Sequence, residues 1–242
     1  MSVEIKVFGN VTLYDSWGDD AQIAAIARVS TGSQNKGRRL NRKLLRTLLE
    51  NDHGSPLEFG GLIFHLQLPL YLVAQIVRHR MASISQRSGR YVEMDGIFHQ
   101  PPIWRAQAVG NRQMSADPLP TQDAASKIYQ ASILASWEAY QRLLDIGVSR
   151  EQARTVLPVS TETEMYMQFN LRSLMNFLRL RRASDAQGEI WPYVDLMAEY
   201  FSLKFPLVSE LFDVMIEVDR ELAGQRHRLW SQKVEALDVL DD

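Results

Sequence analysis

Apolar residues in this chain recur mostly three and four positions apart, the period of a helix buried on one face. In a few places they alternate with polar residues, the period of a strand. Val3, Ile5 and Val7 alternate with Glu4 and Lys6, which predicts a half-buried strand; Gly9-Asn10 turns the chain so that Val11-Thr12-Leu13 pairs back. The alanine-rich stretch from Asp20 to Arg28 predicts a helix ending at Val29-Ser30-Thr31-Gly32. A polar linker over 32–37 leads to a second helix over 38–50, with Leu40, Leu44, Leu45, Leu48 and Leu49 on its apolar face. Gly54 and Pro56 make 51–59 a loop. Leu62 to Leu68 reads as a strand with Phe64, Leu66 and Leu68 on one face and His65 turned to a partner or solvent. Pro69 opens a helix running to Val77, since its missing N–H costs nothing in a first turn. Leu70, Val73, Ala74 and Val77 are its expected buried face.

After residue 77 the pattern breaks at Gly89, and Arg90-Tyr91-Val92 begins a strand that Pro101-Pro102 stops. Residues 103–120 show little periodicity and read as a variable loop, with Trp104 as a packing residue. A long helix over 121–146 is striped by Ala124, Ile128, Ala131, Ala135 and Ala139, widened by Ile133, Trp137 and Leu144, and capped by Gly147. Ser149 and Gln152 form a capping box for a short helix that carries Arg154 and ends at Leu157-Pro158. Thr161 to Glu164 reads as another capping box, opening an amphipathic helix to Arg182. Ile190, Val194, Met197 and Phe201 are spaced for the core of a helix over 188–204. Pro206 starts a last short helix, and the tail to 242 packs peripherally. No internal repeat or second domain is visible.

Composition narrows the class. At 242 residues and 45% hydrophobic content the chain can bury a substantial single core. The net charge of −2 and a pI near 6.2 give no basic footprint of the kind nucleic-acid binders show. No apolar run approaches the ~20 residues needed to span a bilayer, and the N-terminus lacks a signal-peptide core. The expectation is a soluble cytoplasmic protein with no nucleic-acid or membrane partner. There is no cysteine, which removes disulfides, thiolate metal sites and thiol nucleophiles together.

Against that balance, one stretch stands out. Arg78 to Tyr91 holds four arginines, His79 and three serines within fourteen residues. Cations at a helix end complement its dipole, which accounts for one or two of them. Guanidinium groups held this close repel unless an anion lies between them, and they bind phosphate through paired N–H donors. Further along, Arg172 and Asn176 fall four apart on one helical face. Asn170 would compete with helix formation unless its amide has a partner.

Arg78-His79-Arg80, seven residues, then Ser88-Gly89-Arg90-Tyr91 resembles the signature of the flavin-dependent thymidylate synthases. Other segments resemble the same family: His53 to Glu58, its His-x-Ser/Thr-Pro-x-Glu stretch; Arg150 to Pro158; and Asn170 to Leu178, its flavin-contacting helix. The resemblance implies an α+β fold, a small, mostly antiparallel sheet flanked by several helices in one domain over 1–242. It implies reductive methylation of dUMP to dTMP without a cysteine nucleophile. Methylenetetrahydrofolate would give the carbon, FAD would carry the hydride and NADPH would reduce the flavin. A homotetramer with FAD between subunits is also implied.

By that resemblance Ser30, His53, Ser55, Glu58, Arg78, His79, Arg80, Gln86, Asn170, Leu171, Arg172 and Asn176 are cofactor contacts. Gln75, Arg78, Gln86, Arg87, Ser88, Gly89, Arg90, Arg154 and Arg181 are substrate contacts, and no metal is expected. Arg181 and Ser88 are the catalytic candidates. Arg181 would face the uracil ring; Ser88 would bind, polarise or attack. The chain departs from the family at Ser85-Gln86, where Asn-Glu is usual, and at Phe59 and Asp185, where histidine is common. Phe59 is expected to change local packing, and Asp185 carries no role. The rivals are a phosphate-gripping nucleic-acid module, disfavoured by the charge balance, and a different nucleotide-binding flavoprotein or an inactive family member.

Overall fold

The computed structural model describes residues 3–32, 37–110, 114–183 and 185–238, with side chains described as far as 222. Most of the predicted 32–37 linker, the centre of the 103–120 segment and the last four residues of the tail lie outside the described residues. Strands run over Glu4–Lys6 (β1), Asn10–Trp17 (β2), Gly61–Pro69 (β3), Ser83–Gln86 (β4), Ile97–His99 (β5), Arg105–Gln107 (β6), Ser115–Pro118 (β7) and Glu162–Asn170 (β8). The α-helices are Asp20–Arg28 (α1), Arg38–Glu50 (α2), Leu70–Ile76 (α3), Gln122–Asp145 (α4), Arg150–Ala153 (α5), Leu171–Arg181 (α6), Trp191–Lys204 (α7) and Pro206–Asp238 (α8). The fold is α+β, as expected. Among the described residues no helix is long and apolar enough to cross a membrane. The chain divides into two compact units, one made of the segment before Trp17 with Gly61–Ala198, the other of Trp17–Gly60 with the segment from Glu199 onward.

The first unit is built on a four-stranded sheet in the order β2-β3-β8-β4. β8 pairs antiparallel with β3, Leu62 opposite Phe169 and Leu66 opposite Met165, and antiparallel with β4, Ser83 opposite Gln168. Leu62, Phe64 and Leu66 of β3 and Met165, Met167 and Phe169 of β8 share one fully buried face. Burying each such side chain contributes about 1.5–3 kcal/mol. α6 packs there through Leu174, Phe177 and Leu178, and the Phe169 and Phe177 rings lie 5.2 Å apart. α3 covers the same core through Leu72, Val73 and Ile76, while Ala74 and Val77, expected to be buried, are exposed.

Residues 162–170 overturn the predicted helix. Thr163, Met165, Met167 and Phe169 are buried, whereas Tyr166 and Gln168 between them are exposed. That alternation has period two, so the segment pairs as a strand and the helix starts only at Leu171. Two other expectations shift. β1 pairs parallel with β5 rather than with the next segment, leaving Ile5 and Val7 exposed. The predicted 91–100 strand shrinks to β5, because β4 precedes the glycine and 88–92 is a turn. β6 and β7 pair within the segment read as a loop.

α4 faces its core with Ile133, Trp137 and Tyr140, which pack with Met94, Phe98 and Ala153. The predicted stripe of Ala124, Ile128, Ala131 and Ala135 is exposed. Bulky residues bury more apolar area per contact than alanines, and they set the inward face. At the start of β8 the partly buried Glu162 accepts from Lys6 Nζ at 3.3 Å and lies 2.7 Å from His99 Nε2. Burial pushes the Glu162 carboxyl up, but His99 and Lys6 outweigh it and hold it below its ordinary value.

In the second unit α1, α2 and α8 surround Ile23, Leu45, Leu48, Leu57 and Val208. Asp19 caps α1 by accepting from Gln22 N–H at 2.7 Å. The buried Asp20 carboxylate caps α8, accepting from Leu207 N–H at 2.8 Å and Val208 N–H at 3.2 Å. The helix opened by Pro206 is not short; it runs to Asp238.

Candidate active site

Two helix ends meet in the first unit. α3 finishes at Ile76, and Arg78 and His79 leave it with backbone bonds back to Gln75 and Ile76. Asn170 begins α6: its side chain accepts from Ser173 N–H at 2.9 Å, the partner its amide required. Leu171 turns into the core. Arg172 and Asn176 share the exposed face, where Asn176 Oδ1 accepts from Arg179 at 3.2 Å.

The last turn of α6 delivers Arg181. Its Nε donates to His79 Nε2 at 2.9 Å and its Nη2 donates to the Gln75 carbonyl at 2.9 Å. For Nε2 to accept, His79 must be neutral with its proton on Nδ1. Burial, and then the Arg181 charge, push the His79 pKa down. Burial likewise lowers that of Arg181. The Gln75 amide donates to Gln187, a partner that no periodicity in 182–187 could have signalled. Of these groups, His79 and Arg181 line a cavity of about 420 Å³, together with Arg78, Arg80, Met81, Phe169, Ser173, Asn176 and Leu180. No carboxylate lines it, and no described residue pairs with the Arg78 or Arg80 side chain.

β4 leads from this cavity to the second cluster. Gln86 donates to Thr163 Oγ1 at 3.3 Å. The turn after it is closed by Tyr91 N–H donating to the Ser88 carbonyl at 3.0 Å, and Ser88 Oγ accepts from Arg90 N–H at 3.3 Å. Gly89 is buried against Arg154: a Cβ there would lie 3.2 Å from Arg154 Cδ and from Met94 Sδ. Arg90 bonds the Glu151 carboxylate at 3.1 Å, and Arg154 bonds the Glu151 carbonyl at 3.4 Å. Ser149 begins α5 without a capping bond to the backbone, so the predicted box does not form. Arg87, expected to reach substrate, is engaged by Asp95.

Ser30, His53, Ser55 and Glu58 belong to the second unit. All four are exposed, and Ser30 Oγ donates to the Ala27 carbonyl at 3.0 Å. Phe59 is 59% exposed.

Comparison with known proteins places the chain in a family. The family model described as thymidylate synthase complementing protein matches residues 12–207. A flavin-dependent thymidylate synthase of Kosmotoga olearia is 40% identical over 214 residues, covering 87% of this chain and 93% of that protein. The chain belongs to the flavin-dependent thymidylate synthase family. Another flavin-dependent thymidylate synthase, from Thermus thermophilus, is 38% identical over 213 residues, covering 88% and 78%. Among solved structures, the UMP/dUMP methylase PolB from Streptomyces cacaoi bound with 5-Br dUMP superposes with a TM-score of 0.81 at 31% identity, covering 88% of this chain and 97% of that one.

Proposed function

We propose that the protein converts dUMP to dTMP by reductive methylation in the cytoplasm. Methylenetetrahydrofolate is the carbon donor, FAD the hydride carrier and NADPH its reductant, and the working unit is a homotetramer with FAD between subunits. The observation that carries this reading is the cation-lined, carboxylate-free cavity. Arg78, His79, Arg80 and Arg181 converge on it, in a chain with no cysteine to attack a pyrimidine.

The donor set fits the flavin. A pyrophosphate needs cations whose charge no protein carboxylate neutralises, and Arg78 and Arg80 have none. Arg78, His79 and Arg80 would hold it, with Asn170, Leu171, Arg172, Asn176, Gln86, Ser30, His53, Ser55 and Glu58 as further cofactor contacts. FAD, when bound, supplies the hydride chemistry that no side chain can perform.

For the nucleotide, Ser88, Gly89, Arg90 and Arg154 would cradle the phosphate. Gly89 lets the backbone approach, while hydroxyl and guanidinium donate. Gln75 retains its side-chain oxygen for the base, since its amide nitrogen faces Gln187. Arg181 would place its charge where negative charge develops on the uracil N3/O2 edge. No histidine or carboxylate side chain bonds Ser88 Oγ among the described residues, which favours binding over attack.

The test is an absorbance spectrum of the purified protein, then NADPH addition and titration with dUMP and, separately, UMP. A flavin spectrum bleached by NADPH and altered by dUMP supports the reading. A colourless protein that FAD cannot reconstitute overturns it.

A further inference from the structure

Arg87 stands between two residues assigned to ligands, yet its side chain points elsewhere. Nη1 and Nη2 both donate to the Asp95 carboxylate, Nη2 to Oδ1 at 3.0 Å. Nη2 also donates to the Glu93 carbonyl at 3.0 Å. The guanidinium fork is thus occupied by the far end of its own turn.

Both ends of that turn are anchored. Arg87 N–H donates to the Glu164 carbonyl at 2.9 Å, which fixes it to β8. Met94 N–H donates to the Tyr140 hydroxyl at 3.2 Å, and Glu4 N–H donates to the Gly96 carbonyl at 3.0 Å, so Asp95 sits between two fixed neighbours. Between the anchors lie Ser88, Gly89 and Arg90. The only backbone bonds inside 88–92 converge on the Ser88 carbonyl, from Tyr91 at 3.0 Å and Val92 at 3.3 Å.

We propose that Asp95 is a positioning residue for nucleotide binding: its bidentate pair with Arg87 closes the turn that presents Ser88, Gly89 and Arg90 beside Arg154. The proposal rests on the phosphate-cradle reading above. It assigns Arg87 a role through Asp95, with no contact to substrate. The pair also neutralises one positive charge of the cluster, leaving Arg154, which meets Glu151 only at a carbonyl, and Arg90, which gives Glu151 only its Nε, to meet the anion.

The opposite sign is predicted if Arg87 is itself a phosphate ligand, because Asp95 would then compete with the nucleotide. The experiment is calorimetric titration of the FAD-loaded protein with dUMP, using D95N, R87M, the double variant and R154A, together with KM and kcat for D95N. The Asp95 side chain is half exposed, so asparagine at this position leaves the fold intact. D95N is expected to raise the dUMP Kd and KM about fivefold, the scale of a partly exposed ion pair with good geometry. Its kcat at saturating dUMP should change by less than about twofold on the same argument. R87M/D95N should be no weaker than the weaker single variant, and amides 88–92 should exchange faster in D95N. Unchanged or tighter binding in D95N, with weaker binding in R87M, overturns the proposal and makes Arg87 a direct ligand. An unchanged dUMP Kd in R154A overturns the phosphate cradle itself, which separates the two failures.

Discussion

The two arginine clusters of this protein are held in opposite ways. Around the cavity, Arg181 is bonded among the described residues to neutral acceptors, the His79 ring nitrogen and the Gln75 carbonyl, and burial lowers its pKa. In the 87–95 turn, Arg87 donates through both terminal nitrogens to the Asp95 carboxylate, while Arg90 gives Glu151 only its Nε. A guanidinium satisfied by neutral groups is fixed in direction yet keeps its whole charge for a ligand. One satisfied by a carboxylate is fixed equally well but is largely neutralised already. The first arrangement costs desolvation and suits a charge that must act on a reacting group. The second is soluble, cheap to hold and suited to shaping a loop.

The largest effect should therefore come from Arg181. R181A is expected to lower kcat about 10²–10³-fold, the scale for removing one preorganised donor from a site of developing charge. R181K should fall between, since lysine keeps the charge but cannot donate in two fixed directions at once. Steady-state turnover at saturating dUMP measures both. Near-normal kcat in R181A would erase the distinction between the clusters.

Arg154 comes next. It touches Glu151 only through a backbone carbonyl, so within the turn cluster it is the cation least neutralised by the protein. R154A should raise the dUMP Kd about 10–100-fold, the range for a charge-assisted hydrogen bond of about 1.5–3 kcal/mol, with a smaller effect on kcat. An R154A enzyme defective mainly in kcat would place Arg154 with Arg181 instead.

How far these clusters were legible in the chain differs for the same physical reasons. The spacing from Arg78 to Tyr91 announced an anion site, because cation density is a local property. The partners were not announced. Gln187 lies 112 positions from Gln75, and Asp95 sits in an aperiodic turn, so neither pairing leaves a sequence signature. The helix over 171–181 is visible in its leucines, but the strand before it carries the signals of a helix start. Two threonine–glutamate pairs suggested a cap, and the buried alternation of Thr163, Met165, Met167 and Phe169 was the stronger signal. On α4 the alanine stripe was regular, but Trp137 and Tyr140 decided the inward face.

A pH series sharpens the contrast further. The His79 pKa is depressed below its ordinary value of 6.5, by burial first and the Arg181 charge second. The unfolded chain therefore takes up this proton before the folded one does. The stability that neutral His79 contributes is complete above the unfolded value and declines as pH falls through the folded value. Protonation would also break the bond that Nε2 accepts from Arg181 and set two cations side by side. An NMR titration of the His79 ring should show a midpoint below 6.5 that rises in R181A but stays depressed, since burial is the larger cause. A midpoint at or above 6.5 in the intact protein would mean that the ring does not accept from Arg181.

The smallest predicted effect concerns how the cavity cluster is anchored. Two polar side chains stand at helix starts beside the clusters, and only one makes a capping bond. Asn170 Oδ1 accepts from Ser173 N–H at 2.9 Å, whereas Ser149 Oγ finds the Gln152 side chain at 3.5 Å and no backbone donor. Asn170→Ala should lower stability by about 1 kcal/mol, the usual cost of a lost cap. Ser149→Ala should stay within about 0.5 kcal/mol, as for a surface change that removes no such feature. Urea unfolding of the two variants beside the parent reads the difference directly. α6 carries Arg181 ten residues after its first position, so fraying at Leu171 need not reach the guanidinium. If Asn170→Ala also weakened dUMP binding, the start and end of α6 would be coupled, and the cavity cluster would depend on its scaffold as closely as the turn cluster depends on its ion pairs.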